Sequence, residues 1–192
     1  MSTLDLHNRL QRGFGLLELV MFIVIISVAL GGILLAMNTS SKNSADPLIE
    51  KQALAIADSL LEEVLLMPFT FCDPDDANAA SATSATVGGA GCNATVEAMG
   101  PEAGESRGNV STPFDNVNDY NGFYMSGTGM VDIAGNPIAG LERYTANVTV
   151  TASALNNVAA GESLLVTVQV TRDDGHSVTL SGYRTRFAPR DL

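Results

Sequence analysis

Polar and apolar positions divide the chain into stretches of different period. From Leu19 to Met37 the side chains are apolar on every helical face, broken only by Ser27, Gly31 and Gly32. A helix over that run is about 28 Å long, close to the hydrocarbon thickness of a bilayer, and a buried core helix is rarely so uniformly apolar. The pattern predicts a membrane span. A helical period returns farther on, in Ile49, Ala53, Ile56, Leu60 and Val64, with Ala57, Leu61 and Leu65 widening the stripe. Lys51, Asp58, Glu62 and Glu63 fall on other faces. Asp46-Pro47 reads as the start of this amphipathic helix, or as a kink through which the membrane helix continues into it, and Met67-Pro68 as its end. Its acidic polar face suits packing on a globular head better than lying on a membrane surface.

In the C-terminal third the period becomes two. Tyr144 to Thr151 sets Ala146, Val148 and Val150 on one face, and Leu164 to Thr171 sets Leu164, Val166, Val168 and Val170 against Leu165, Thr167, Gln169 and Thr171. Asp173-Asp174-Gly175-His176 then marks a hairpin turn, after which Val178, Leu180 and Gly182 continue the alternation. The expected fold is α+β: a long N-terminal membrane and amphipathic helix packed on a C-terminal antiparallel sheet, read as a three-stranded meander. Thr70 to Gly108, rich in Ala, Ser, Thr and Gly, has no period at all.

Charge and composition narrow the function. A net charge of -11 argues against nucleic-acid binding, which needs a basic face. Arg9 and Arg12 precede the apolar run and Lys42 is the only basic residue soon after it, so the N-terminus is expected in the cytoplasm and the bulk of the chain across the membrane. A cleavable secretory signal fits poorly, because the apolar run is long and Leu35-Ala36-Met37-Asn38-Thr39-Ser40 lacks a small-x-small site after it. Cys72 and Cys92, the only cysteines, are then expected to form a structural disulfide in an oxidising compartment.

Candidate chemistry is sparse. His176 lies between Asp174 and Ser177, but in a turn, and no nucleophile elbow, phosphate loop or metal-binding Cys/His spacing occurs. No catalytic residue, cofactor or metal ligand is assigned. Asp73, Asp75 and Asp76, and Asp115, Asn116, Asn118, Asp119 and Asn121, have oxygen donors of the kind that chelate calcium. They lack the EF-hand register, and Asx-rich turns need no metal. Asn93-Ala94-Thr95, Asn109-Val110-Ser111 and Asn147-Val148-Thr149 match the glycosylation triplet, as chance allows in so Asn- and Thr-rich a chain.

Glu18 is the one acid at the edge of the apolar run. If Phe14 is internal, Glu18 is an acid reaching the lipid headgroups. If the chain is cut after Gly13, the new amino group of Phe14 lies four residues away on the same helical face, and the two charges neutralise each other within one chain or between neighbours. Arg12-Gly13-Phe14-Gly15-Leu16-Leu17-Glu18 with the apolar run resembles the cleavage and methylation motif of type IV prepilins. Gly15 departs from that motif, where most members have Thr, and the span lacks the proline many major pilins carry. The resemblance implies cleavage between Gly13 and Phe14 by a prepilin peptidase, methylation of Phe14, and pairing of Glu18 with a neighbouring subunit's N-terminus during assembly. The second helix, through Gln52-Ala53-Leu54-Ala55-Ile56-Ala57 to Leu60-Leu61-Glu62-Glu63-Val64-Leu65, is most similar to minor pilins of mannose-sensitive haemagglutinin (MSHA) type pili.

The expected organisation follows: a cleaved leader at 1–13, a membrane and assembly helix at 14–43, an amphipathic helix at 44–68 and an extracytoplasmic head at 69–192. The resemblance implies a minor pilin or pseudopilin of a pilus or secretion filament. Its partners would be other pilin subunits, the peptidase and N-methyltransferase, inner-membrane assembly machinery, and lipid before assembly. The competing expectation is an uncleaved, single-pass anchored domain that binds a ligand or senses a signal.

Overall fold

The structure, a computed structural model, describes residues 15–127 and 129–186, with the backbone alone described for 39–47. Helix α1 is assigned over Leu16–Leu66, and the chain divides into two compact units, Met1–Pro47 and Leu48–Leu192. The helix start read from Asp46-Pro47 is therefore interior to the helical assignment. Pro47 still leaves a mark, since it removes one amide donor from the ladder and the division between units falls directly after it.

In the first unit the apolar stretch is Leu16–Asn38, with mean hydropathy 2.9 and none of it buried. Packing and propensity there demand a solvent other than water. The second unit supplies its own core. From Leu48 onward α1 buries Ala53, Ala57, Leu60, Leu61 and Val64, the stripe that the sequence period picks out. They pack against one face of an antiparallel sheet of order β1-β2-β3-β4, formed by Tyr124–Met125, Tyr144–Ala152, Ser163–Arg172 and Ser177–Thr185.

Tyr144, Ala146, Val148 and Val150 of β2 and Leu164, Val166, Val168 and Val170 of β3 are the buried face. Their register places Val148 opposite Val168 and Val150 opposite Val166, so β-branched side chains meet across the strands. Val178 and Leu180 of β4 are half-buried at the margin of the core. In the turn between β3 and β4, Gly175 adopts φ +91, which a residue with a Cβ rarely does. Gly182 serves differently: a Cβ there would stand 2.8 Å from Leu65 Cδ1, so its absence lets the helix sit close to β4. The two-residue strand β1, paired at Tyr124–Asn147 and Met125–Ala146, adds a fourth strand to the expected meander. It is too short to show a period.

Glu63, placed by the helical period outside the apolar stripe, is not left to solvent. Arg107 Nε and Nη2 donate to its two oxygens at 2.6 and 2.7 Å, and Tyr120 Oη donates to Oε1 at 2.7 Å. Arg107 Nη1 also donates to the Val131 and Asp132 carbonyls, so one guanidinium holds the helix to two loop segments. Burial pushes the Glu63 carboxyl up, but its Arg107 and Tyr120 hydrogen bonds outweigh this and leave its pKa below the usual value. The Arg107 and Glu63 side chains are 11% and 22% exposed, against 55% and 50% for the pair Arg143–Asp173. Removing Glu63 would leave a shielded cation without its counter-charge. Glu63→Ala is therefore expected to lower unfolding free energy by about 2–4 kcal/mol, and Arg143→Ala by less than about 1 kcal/mol, both read from urea unfolding of the detergent-solubilised chain.

Candidate functional site

Two regions concentrate the chemistry, one in each unit. The first is the start of α1. Leu19 N–H donates to the Gly15 carbonyl at 3.1 Å, so the ladder begins beside Glu18, which lies in the first turn and is exposed. A carboxylate here faces the free amide ends and the positive pole of the helix. Downstream, Leu19, Val20, Met21, Phe22, Ile23 and Val24 are all more than half exposed. Ser27, the polar exception, donates from Oγ to the Ile23 carbonyl at 2.7 Å, satisfying its hydroxyl within the helix as an apolar solvent requires. A Cβ on Gly31 or Gly32 would meet nothing within 4 Å, so these positions present bare backbone to whatever covers the helix. Gly13 and Phe14, the expected cleavage and methylation residues, lie outside the described residues.

The second region is the aperiodic segment after α1. Cys72 and Cys92 are joined, with Cα atoms 5.4 Å apart and both residues fully buried. Asp76, within the loop they close, ties it to the segment just past Cys92. Its Oδ2 accepts from the Thr95 and Ala94 amides at 2.8 and 2.7 Å, and its Oδ1 from those of Asn78 and Asn93 at 2.8 and 2.9 Å. The Thr95 amide first, and then the other three, hold the Asp76 carboxyl well below the usual carboxylate range. The acidic cluster read from Asp73, Asp75 and Asp76 thus separates by role: Asp76 organises backbone, while Asp73 and Asp75 face Asp115.

Beside it lies a grouping that sequence reading did not assemble. One carboxylate oxygen each from Glu97, Glu102 and Asp119 lie within 4.8 Å of one another. Asp119 is fully buried on a 3-10 turn, Val117–Tyr120, where its Oδ2 accepts from the Asp115 and Asn116 amides. Burial, and then the charges of Asp119, Glu102, Asp115 and Asp73, push the Glu97 carboxyl up to about 9. Burial likewise raises Asp119 and Asp115 to about 7 each. Glu97 and Glu102 sit in a stretch with no period or motif, so only the folded loop brings them to Asp119.

A groove of about 530 Å³ runs beside the Glu63–Arg107 pair, with Ile56, Leu60, Met125, Met130 and Leu141 in its wall. His176 forms no catalytic arrangement with its neighbours. The Asp174 carboxylate accepts from Arg172 and from the His176 backbone amide, and the Ser177 hydroxyl accepts from Thr171.

The depressed Asp76 carboxyl contributes stability that is present above its unfolded value near 3.8 and is lost as pH falls through its lower folded value. Asp76→Asn is expected to speed amide exchange at Asn78, Asn93, Ala94 and Thr95 severalfold at neutral pH, measured by NMR. That difference from wild type should shrink once the pH drops below 3.8.

Comparison with known proteins bears on the first region. Residues 8–34 match the family model described as the prokaryotic N-terminal methylation motif. No curated protein and no solved structure matches the chain significantly. The matched stretch includes Gly13, Phe14 and Glu18 and extends along the uncovered apolar helix. Motif and helix together are similar to the N-terminal element of type IV pilin-like proteins.

Proposed function

We propose that the protein is a minor pilin or pseudopilin, a structural subunit of a type IV pilus of the MSHA kind or of a related secretion filament. The observation that carries this reading is the methylation motif at residues 8–34, placed on a helix whose apolar surface is uncovered. Prepilin peptidase hydrolyses the Gly13–Phe14 bond, freeing an amine on Phe14 that the N-methyltransferase then modifies. Before assembly the apolar helix spans the inner membrane with its N-terminus cytoplasmic. Assembly machinery there transfers it from lipid into the filament core, against the helices of major and minor pilins.

Burial against other helices replaces burial in lipid, so apolar area alone gives little net drive or register. Glu18 supplies the register. An unpaired carboxylate among apolar helices costs several kcal/mol, and the neighbouring amine on Phe14 is its complement. The head, tied by the Cys72–Cys92 bridge, stays extracytoplasmic throughout. Similarity of the second helix, through Ala53, Ala57, Leu60 and Leu61, favours the MSHA type.

A second reading, an uncleaved anchored domain that binds a ligand, draws on the groove beside Glu63 and Arg107. One substitution separates the two. Glu18→Ala is expected to leave peptidase cleavage intact, judged by the mass of the membrane-extracted chain, and to cut recovery of the subunit in sheared filaments at least tenfold. Recovery at the wild-type level would sink the assembly role of Glu18.

A further inference from the structure

We propose that Glu97, Glu102 and Asp119 form a binding site for a single calcium-class cation in the head, distinct from the assembly element on α1. A carboxylate oxygen from each lies within 4.8 Å of the others, the span open to ligands around an ion with metal–oxygen distances of about 2.3–2.6 Å. Acidic groups gather on many surfaces with no ion between them, so the grouping alone says little.

The independent observation is burial without partners. Asp119 is fully buried, and its Oδ1 has no hydrogen-bond partner among the described residues, while Oδ2 is occupied by two backbone amides. Both oxygens of Glu97 are likewise shielded from solvent and without a hydrogen-bond partner. A folded chain ordinarily satisfies such atoms, and leaving a buried acceptor empty costs about 1–3 kcal/mol, more if it is charged. Three shielded oxygens without hydrogen-bond partners, on two of the three clustered residues, match the needs of a cation.

The surrounding charges agree. Asp73, Asp115 and Glu102 add their negative fields at Glu97 alongside Asp119. The Arg186 guanidinium interacts electrostatically with Glu97, but it is stacked 3.6 and 4.0 Å from the Phe69 and Phe71 ring centroids and paired with Glu162. It offsets the cluster without entering it. Donors that are all carboxylate oxygen favour a hard ion such as calcium over zinc or copper. Irregular spacing along loops suits calcium better than magnesium, which demands a near-ideal octahedron.

The ligands come from separate segments. Glu97 follows Val96, whose backbone bridges to Cys72; Glu102 lies on the next turn, where its Oε1 accepts from the Ala98 amide; and Asp119 belongs to the buried 3-10 turn Val117–Tyr120. An ion at their meeting point would pin the aperiodic segment to the 3-10 turn, whereas the disulfide closes a loop within that segment.

The test uses the full chain in detergent, stripped with a chelator and titrated with calcium by calorimetry and thermal unfolding at pH 7.5. The expected result is one calcium per chain with a Kd at or below about 1 mM, a higher Tm when bound, and a markedly weaker response to magnesium. Glu97→Gln is expected to weaken binding at least tenfold while its calcium-free form melts no lower than wild type, because the amide is nearly isosteric with the carboxyl and brings no charge into the cluster. Asp75→Asn, in the neighbouring acidic group, should bind like wild type. No saturable binding by wild type would overturn the proposal. So would unchanged binding by Glu97→Gln, loss of binding in Asp75→Asn alone, or equal binding of magnesium.

Discussion

A helix surface with nothing to cover it governs this molecule. Leu16–Asn38 is apolar on all sides and wholly exposed, and at about 25 cal/mol per Å2 such a surface cannot be left in water. Either hydrocarbon or other helices must cover it, and the polar groups along it are few enough to permit both. Ser27 bonds inward to its own helix. Glu18 alone carries charge within that stretch, at the end where the helix pole favours an anion. An element that tolerates lipid and protein equally well, with one charge to set its alignment, suits a subunit that must move from membrane to filament.

The head solves a different problem. Its sheet and the C-terminal part of α1 make a small core, joined by Phe114, Val117, Tyr120 and Met130, whereas the aperiodic segment 70–108 buries little apolar surface beyond Cys72 and Cys92. Order there comes from specific bonds instead. The Cys72–Cys92 bridge removes unfolded-state freedom, Asp76 collects four backbone amides, and Arg107 joins Glu63 to the Val131 and Asp132 carbonyls. Arg184 of β4 donates to the Met67 carbonyl and Arg186, just past that strand, to the Phe69 carbonyl, so the end of the sheet fastens the chain as it leaves α1. Each device uses polar groups where hydrophobic surface is scarce.

Elements with a period were legible in the sequence. The apolar run, the stripe through Ala53, Ala57, Leu60 and Val64, and the alternating faces of β2 and β3 all reappear as read, because burial acts on many residues in phase. At Asp46-Pro47 the sequence leaves a fresh start and a continuing helix both open, because a cap-and-proline signal suits either, and the helical assignment runs through it. Strand β1 was missed because two residues carry no alternation. Glu63 was legible only as lying off the apolar stripe, since its partners, Arg107 and Tyr120, come from far along the chain. The same holds for Glu97, Glu102 and Asp119, whose convergence depends on loop closure and leaves no local signature. The type IV pilin resemblance was legible because its motif is contiguous, from Arg12 through Glu18.

The central claim is that the apolar helix is an assembly element released by cleavage rather than a permanent anchor. It is tested most directly by N-terminal sequencing and intact mass of the protein extracted from membranes and from sheared filaments of the producing cell. The account expects a mature chain that begins at N-methylated Phe14 and is present in both fractions. A chain that retains residues 1–13 and is confined to the membrane would contradict it.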